Sequence, residues 1–203
     1  MTFFRPIART AFAALGLSLL SACVAPTGPV EVTRFHVPDV ARLAQGTIIV
    51  EPAAGQDGNS LEYRTFASAV SRELVRVGYS ELVAGGSGSG QIALLKLERG
   101  TFQPGRAESP VSVGVGGSTG SYGSGVGVGI GLNLSGPPPS IVETRLSVSI
   151  RDRASGQTLW EGRASFSAKA TSPLAQTQLG APRMAEALFQ DFPGRSGETI
   201  LVK

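Results

Sequence analysis

A chain of 203 residues is long enough for one domain with a packed core. It holds 18 Lys and Arg against 15 Asp and Glu, and Arg5 and Arg9 fall in an N-terminal leader, so the remainder is near neutral and offers no basic stripe for a nucleic-acid backbone. A single His and a single Cys leave too few ligands for a structural zinc site, while 27 Gly beside sparse aromatic residues favour β-structure with a Gly-rich insert over a helical bundle.

Residues 1–22 combine a basic start (Arg5, Arg9), an apolar run from Ala11 to Leu20 and the sequence Leu20-Ser21-Ala22-Cys23. That is a lipobox at the end of a signal peptide. Small residues at 21 and 22 let the backbone lie extended in a peptidase cleft, and the Cys23 thiol is the nucleophile that accepts a diacylglyceryl group. The apolar run is too short to remain as a membrane span. Two or three acyl chains, at about 0.8 kcal/mol per buried methylene, anchor stably where one would be marginal. Val24 follows the cysteine where an aspartate would favour inner-membrane retention, so delivery to the outer membrane, facing the periplasm, is expected. Residues 23–29 read as the acylated cysteine and a short tether.

The mature chain then reads in order. Val30 to Val37 alternates apolar and polar residues with one slip, and Thr47-Ile48-Ile49-Val50 follows; both are predicted strands. Asn59 or Ser60 caps a helix that ends before Gly78, with Tyr63, Phe66, Val70, Leu74 and Val77 along one stripe. After a Gly85–Gly90 loop, a strand runs from Ile92 toward Phe102. Val111, Val113 and Val115, then Val126, Val128, Ile130, Leu132 and Leu134, alternate with Gly and Ser on either side of Gly117–Gly125. This describes a long hairpin over 111–136, with a loop as the alternative because glycine weakens a strand. Ile141 to Arg151 is the clearest strand, and Thr158 to Ala168 is its partner across the Arg153–Gln157 turn. Ser172-Pro173 can start a helix that Gly180 and Pro182 break, leaving Arg183 to Asp191. Thr199 to Val202 is a last strand. Residues 30–203 are thus expected as one α+β domain: a mainly antiparallel sheet, two helices on one face and a Gly-rich hairpin insert.

Glu73-Leu74-Val75-Arg76-Val77-Gly78-Tyr79, the Gly/Val insert, Gly156-Gln157-Thr158-Leu159-Trp160-Glu161-Gly162-Arg163-Ala164 and Met184 through Gly194, together with the lipobox, resemble a family of bacterial lipoproteins known as domain of unknown function 4136. The resemblance spans nearly the whole mature chain. It implies an envelope lipoprotein and carries no catalytic residue.

Reaction chemistry is hard to find. His36 sits beside a strand with no triad partner in view. Gly86-Ser87-Gly88-Ser89-Gly90 matches a nucleophile elbow only as low-complexity text, and no dinucleotide or P-loop spacing occurs. Asp39, Glu51, Asp57 and Glu62 are dispersed, Asp152 and Glu161 solvate a hairpin, and Trp160 with Phe166 reads as core. No enzyme, cofactor or metal is expected. The leading expectation is a lipid-anchored envelope protein that acts as an interaction or structural module, with Val126, Val128, Ile130 and Leu132 as the candidate contact for an envelope protein or lipid, since an exposed apolar strip is costly in water. The alternative is a carrier or accessory subunit that holds a lipid or other apolar ligand between helices and sheet.

Overall fold

The computed structural model describes residues 28–81, 90–104, 111–120, 123–132 and 138–203. The leader, Cys23, most of the tether and Leu134 lie outside the described residues, as does most of the Gly85–Gly90 loop. In chain order the elements are β1 (Val30–His36), β2 (Thr47–Pro52), α1 (Leu61–Arg76), β3 (Ser80–Glu81), β4 (Gln91–Phe102), β5 (Val111–Gly120), β6 (Gly123–Leu132), β7 (Ile141–Asp152), β8 (Thr158–Lys169), α2 (Thr177–Phe189) and β9 (Thr199–Val202).

The domain is mixed α+β. Six strands and the two-residue β3 form a single sheet in the order β3-β2-β4-β7-β8-β1-β9. Pairing is antiparallel throughout, except that β2 runs parallel to β3 and to β4. β5 and β6 pair only with each other among the described residues, as a separate antiparallel ribbon. β7 and β8 are hairpin neighbours, and β4 meets β7 along its full length from Gln91↔Asp152 to Phe102↔Ile141. Residues opposite one another in such ladders share a face, so the register sorts the sheet into two surfaces.

One surface is apolar. Val30, Val32, Ile48, Ala93, Leu95, Leu146, Val148, Ile150, Trp160, Ala164 and Phe166 are all buried on it. α1 covers it with Tyr63, Phe66, Val70 and Leu74, and α2 with Met184, Ala185, Leu188 and Phe189. Trp160 is the centre of this layer: its ring stacks on Phe189 at 5.4 Å and lies 5.2 Å from Phe192, and its Nε1 donates to the Pro193 carbonyl at 2.9 Å. Beneath the indole lies Gly162, where a Cβ would stand 2.2 Å from the ring.

The helix ends follow from local chemistry. Ser60, in extended backbone, caps α1 by accepting from the Tyr63 N–H at 3.1 Å. Past its C-terminus, Gly78 adopts φ +120° and lies so near the Ala44 carbonyl that a Cβ would be 2.8 Å from it, a position only glycine fills without strain. α2 differs from the expected Arg183–Asp191: it starts at Thr177 and runs through Pro182. Pro182 is the sixth residue of the helix and forfeits one intrahelical hydrogen bond, a cost offset by the burial of Ala181, Met184, Ala185 and Leu188, and Gly180 lets the Leu174 carbonyl approach to 2.8 Å of where a Cβ would be.

One charged residue is built into the apolar layer. Arg34 follows Val30 and Val32 at the next inward position of β1 and is 4 % exposed. Its Nε donates to the Leu188 carbonyl at 3.0 Å and its Nη2 to the Ala187 carbonyl at 2.9 Å, so it satisfies the open end of α2. Burial lowers its pKa, and the charges of Asp191 and Glu198 oppose that shift.

Candidate functional site

Among the described residues, no helix lies on the other surface of the sheet. Antiparallel sheets tolerate this when the outward positions are polar, and here three neighbouring strands meet that condition. β7 presents Arg145, Ser147, Ser149 and Arg151, β8 presents Glu161, Arg163 and Ser165, and β4 presents Leu94, Lys96 and Glu98; β1 extends the surface with Glu31 and Thr33. The register aligns them in rows: Glu98–Arg145–Ser165–Glu31, then Lys96–Ser147–Arg163–Thr33, then Leu94–Ser149–Glu161. The result is a trough of about 790 Å³ with a floor of small hydroxyl residues, bordered on one side by Ala53 and Ala54 from the segment between β2 and α1.

Charges of both signs line it. Lys96 Nζ lies 2.6 Å from Glu98 Oε1, Arg145 Nη2 lies 2.6 Å from Glu143 Oε1, and Arg163 and Glu161 approach within 3.8 Å. The hydrogen bond from Lys96 and its charge, with Arg145 adding, hold the Glu98 carboxyl below its ordinary value. Arg151 Nε donates to Ser149 Oγ at 3.4 Å. These side chains are half or more exposed in Lys96, Arg145 and Arg163, so they are available to a partner and contribute little to stability. The arrangement suits a hydrated surface of mixed charge. Its serines have no histidine beside them: His36 Nδ1 lies 2.8 Å from the Val37 carbonyl and Nε2 lies 3.2 Å from the Gly194 carbonyl.

The residues singled out from sequence fall as follows. Cys23 lies outside the described residues. Leu132, Ile130, Val128 and Val126 occupy β6 at register positions opposite Val111, Val113, Val115 and Gly117 of β5. Trp160 and Phe166 are core. The carboxylates stay apart: Asp39 and Asp57 accept from backbone N–H groups two residues on, Glu62 pairs with Arg99 at 2.5 Å, and Asp152 joins Arg42 and Ser155, while Glu161 faces the trough. Among the described residues no group of three or more His, Cys, Asp or Glu is placed to hold a metal ion, and no helix is long and apolar enough to cross a membrane. Sequence reasoning did not single out the trough. Its signal in the sequence is the polar phase of the alternation in β4, β7 and β8.

These features define a mixed α+β domain whose main sheet has one face roofed by two helices and, among the described residues, the other face polar and without a helix. The chain belongs to the family described as Domain of unknown function (DUF4136), whose model matches residues 35–194. An uncharacterised protein of Zymomonas mobilis is 29 % identical over 87 % of this chain and 81 % of its own length. Among solved structures, a PDZ domain protein from Parabacteroides distasonis aligns with a TM-score of 0.45 at 12 % identity over 86 % of this chain, which spans 39 % of that structure's length. A PelC dodecamer subunit from Paraburkholderia phytofirmans aligns with a TM-score of 0.40 at 9 % identity, over 79 % of this chain and 97 % of that one.

Proposed function

We propose that this protein is a non-catalytic, lipid-anchored module of the cell envelope, held on the periplasmic side of the outer membrane by acyl chains on Cys23, whose open sheet face docks a hydrophilic surface of another envelope protein. The observation that carries the reading is the trough. A sheet that leaves one face unroofed, fills its centre with Ser147, Ser149 and Ser165 and borders it with fixed charges of both signs suits recognition by electrostatic complementarity. The lipobox supports the anchor, because the Cys23 sulfur stands at the one position that diacylglyceryl transfer requires. The carrier alternative has less support, since Phe66, Leu95, Trp160, Leu188 and Phe189 already fill the layer between helices and sheet where its ligand would lie.

The test places a photo-crosslinking residue at Ser149 in the full-length protein in living cells, with Arg72 on the exposed side of α1 as the comparison site. One protein captured at 149 and not at 72, and lost when Lys96→Glu and Arg163→Glu are combined, is the expected result. Capture that ignores the charge reversal, or no capture at 149, removes the trough from consideration. The Cys23→Ala chain, with capture lost, separates docking that needs the anchor from docking in solution.

A further inference from the structure

α1 and α2 run side by side in the same direction. Arg99 on β4 binds Glu62 and Thr177 at their starts, and Arg76 Nη2 donates to the Phe189 carbonyl at their ends. On the side of this pair turned away from the sheet, Leu61, Arg64, Ser68 and Arg72 of α1 face Gln178 and Pro182 of α2 across a cleft of about 570 Å³. All six are exposed. The α1 members recur at steps of three and four, which sets them on one stripe opposite the buried Tyr63, Phe66, Val70 and Leu74. Val75, a further three residues on, prolongs the stripe.

The charge on this stripe is left over by the fold. α1 has two carboxylates, and each already holds another arginine: Glu62 pairs with Arg99, and Glu73 with Arg76 at 2.6 Å. Arg64 and Arg72 make no hydrogen bond or ion pair among the described residues. No carboxylate among the described residues lines the cleft, and Glu186, the one acid of α2, lies a turn beyond Pro182 and outside the lining. The two guanidinium groups rise from positions about 12 Å apart along the helix, with the Ser68 hydroxyl and the Gln178 amide as further donors. A second observation is apolar. Leu61 before the arginines is 76 % exposed and Val75 after them 47 %, so the stripe reads apolar, cation, hydroxyl, cation, apolar.

We propose that the outer stripe of α1, with the cleft beside it, docks on the anionic phospholipid headgroups of the leaflet to which the protein is anchored. The inference rests on the anchoring reading above, which brings the domain to a lipid surface, and adds the face it turns toward that surface. Arg64 and Arg72 take the phosphates, because the planar fork of a guanidinium matches two oxygens of one phosphate group. Leu61 and Val75 enter the boundary between headgroups and acyl chains, as the apolar part of an interfacial helix does. A free anion would engage the arginines and leave both apolar side chains in water, so a lipid surface is the occupant that meets the whole stripe. The helices lie on the sheet surface opposite the trough, so this docking leaves Ser147, Ser149 and Ser165 turned away from the lipid.

The experiment uses the full acylated chain on vesicles of phosphatidylcholine, alone or mixed with phosphatidylglycerol. Acylation occupies the sulfur of the chain's single cysteine, so Ser68→Cys and Ser149→Cys each supply one site for a fluorophore, with a lipid that carries a nitroxide on its headgroup as the quencher. With phosphatidylglycerol present, quenching at 68 should exceed quenching at 149, each arginine favouring the docked orientation about fivefold. Arg64→Glu and Arg72→Glu combined should bring 68 down to the level of 149, and so should high salt on the chain that keeps both arginines. Quenching at 68 that is the same with and without phosphatidylglycerol, or that survives high salt, would overturn the docking and leave the anchor intact. Polyglutamate that alters the emission at 68 where anionic vesicles do not would overturn the lipid as occupant in favour of an acidic protein segment. Failure to float with phosphatidylcholine alone, where the cleft meets no anionic lipid, would overturn the anchor and the inference with it.

Discussion

Gly162→Ala is expected to be the most damaging single-methyl change in the domain. The added Cβ would stand 2.2 Å from one carbon of the Trp160 ring and 2.8 Å from Leu188 Cδ1, well inside the ordinary carbon–carbon separation of about 3.5–4.0 Å. Relief requires the indole to move by about 1.5 Å, but Phe189 and Phe192 hold its faces and the Pro193 carbonyl holds its Nε1. Overpacking typically costs about 1–3 kcal/mol. Moving the ring sacrifices a hydrogen bond of about 1 kcal/mol and aromatic pairs of about 0.5–1.5 kcal/mol each. The loss of unfolded-state entropy on replacing glycine offsets at most about 1 kcal/mol. A net destabilisation of about 3 kcal/mol follows, which lowers Tm by roughly 6–12 °C in a domain of this size. Scanning calorimetry reads the shift, and the emission of Trp160, the only tryptophan, reports whether the ring has moved. A variant that melts within about 2 °C of the parent with unchanged emission would refute the view that Gly162 is the seat of the indole.

Two further expectations concern α1. The Tyr63 hydroxyl is buried and makes no hydrogen bond among the described residues, and burial, with the Glu51 charge added, pushes its pKa up to about 12. A raised value means that the folded chain keeps a proton the unfolded chain releases, so its stabilising contribution is whole below pH 10 and is lost as pH climbs from 10 toward 12. Tyr63→Phe should leave urea stability near neutrality unchanged or higher, because it removes an unpartnered hydroxyl, and should flatten the alkaline decline; an equally steep decline in both chains would count against this. Ser60→Ala should cost about 1 kcal/mol through loss of the cap on Tyr63 N–H, while Ser60→Asn retains most of it. Thermal melts of the two variants give the comparison, and equal loss in both would show that the cap is not what holds the first turn.

The elements that sequence reading places best are those whose burial alternates without interruption. In β7, Leu146, Val148 and Ile150 face inward against Arg145, Ser147 and Ser149, and the period of two is visible from composition alone. α1 carries both its stripe and its cap in the sequence. α2 was harder, because Gly180 and Pro182 both argue against helix locally, and what overrides them is the close approach of the Leu174 carbonyl and the packing of Ala181, Met184 and Leu188. Arg34 is illegible for a similar reason: a cation at an inward position makes sense only once the carbonyls of Ala187 and Leu188, more than 150 residues away, are in place. The trough has the same character. Each strand shows its own polar phase, but the rows that make a surface need the order β4-β7-β8-β1, and the placing of β1 beside β8 depends on tertiary packing that no local pattern encodes.

That placing also bears on how the protein is made. β1, the first strand of the domain, is hydrogen-bonded on one side to β8 and on the other to β9, the last. A chain that emerges N-terminus first exposes β1 long before either neighbour exists, so the inward valines Val30 and Val32 and the cation of Arg34 wait unpaired through the synthesis of nearly everything else. Contacts of such high sequence separation are slow to form. Val30 to His36 therefore stays without its strand partners until the end of the chain arrives. Closure of β9 onto β1 then completes the sheet.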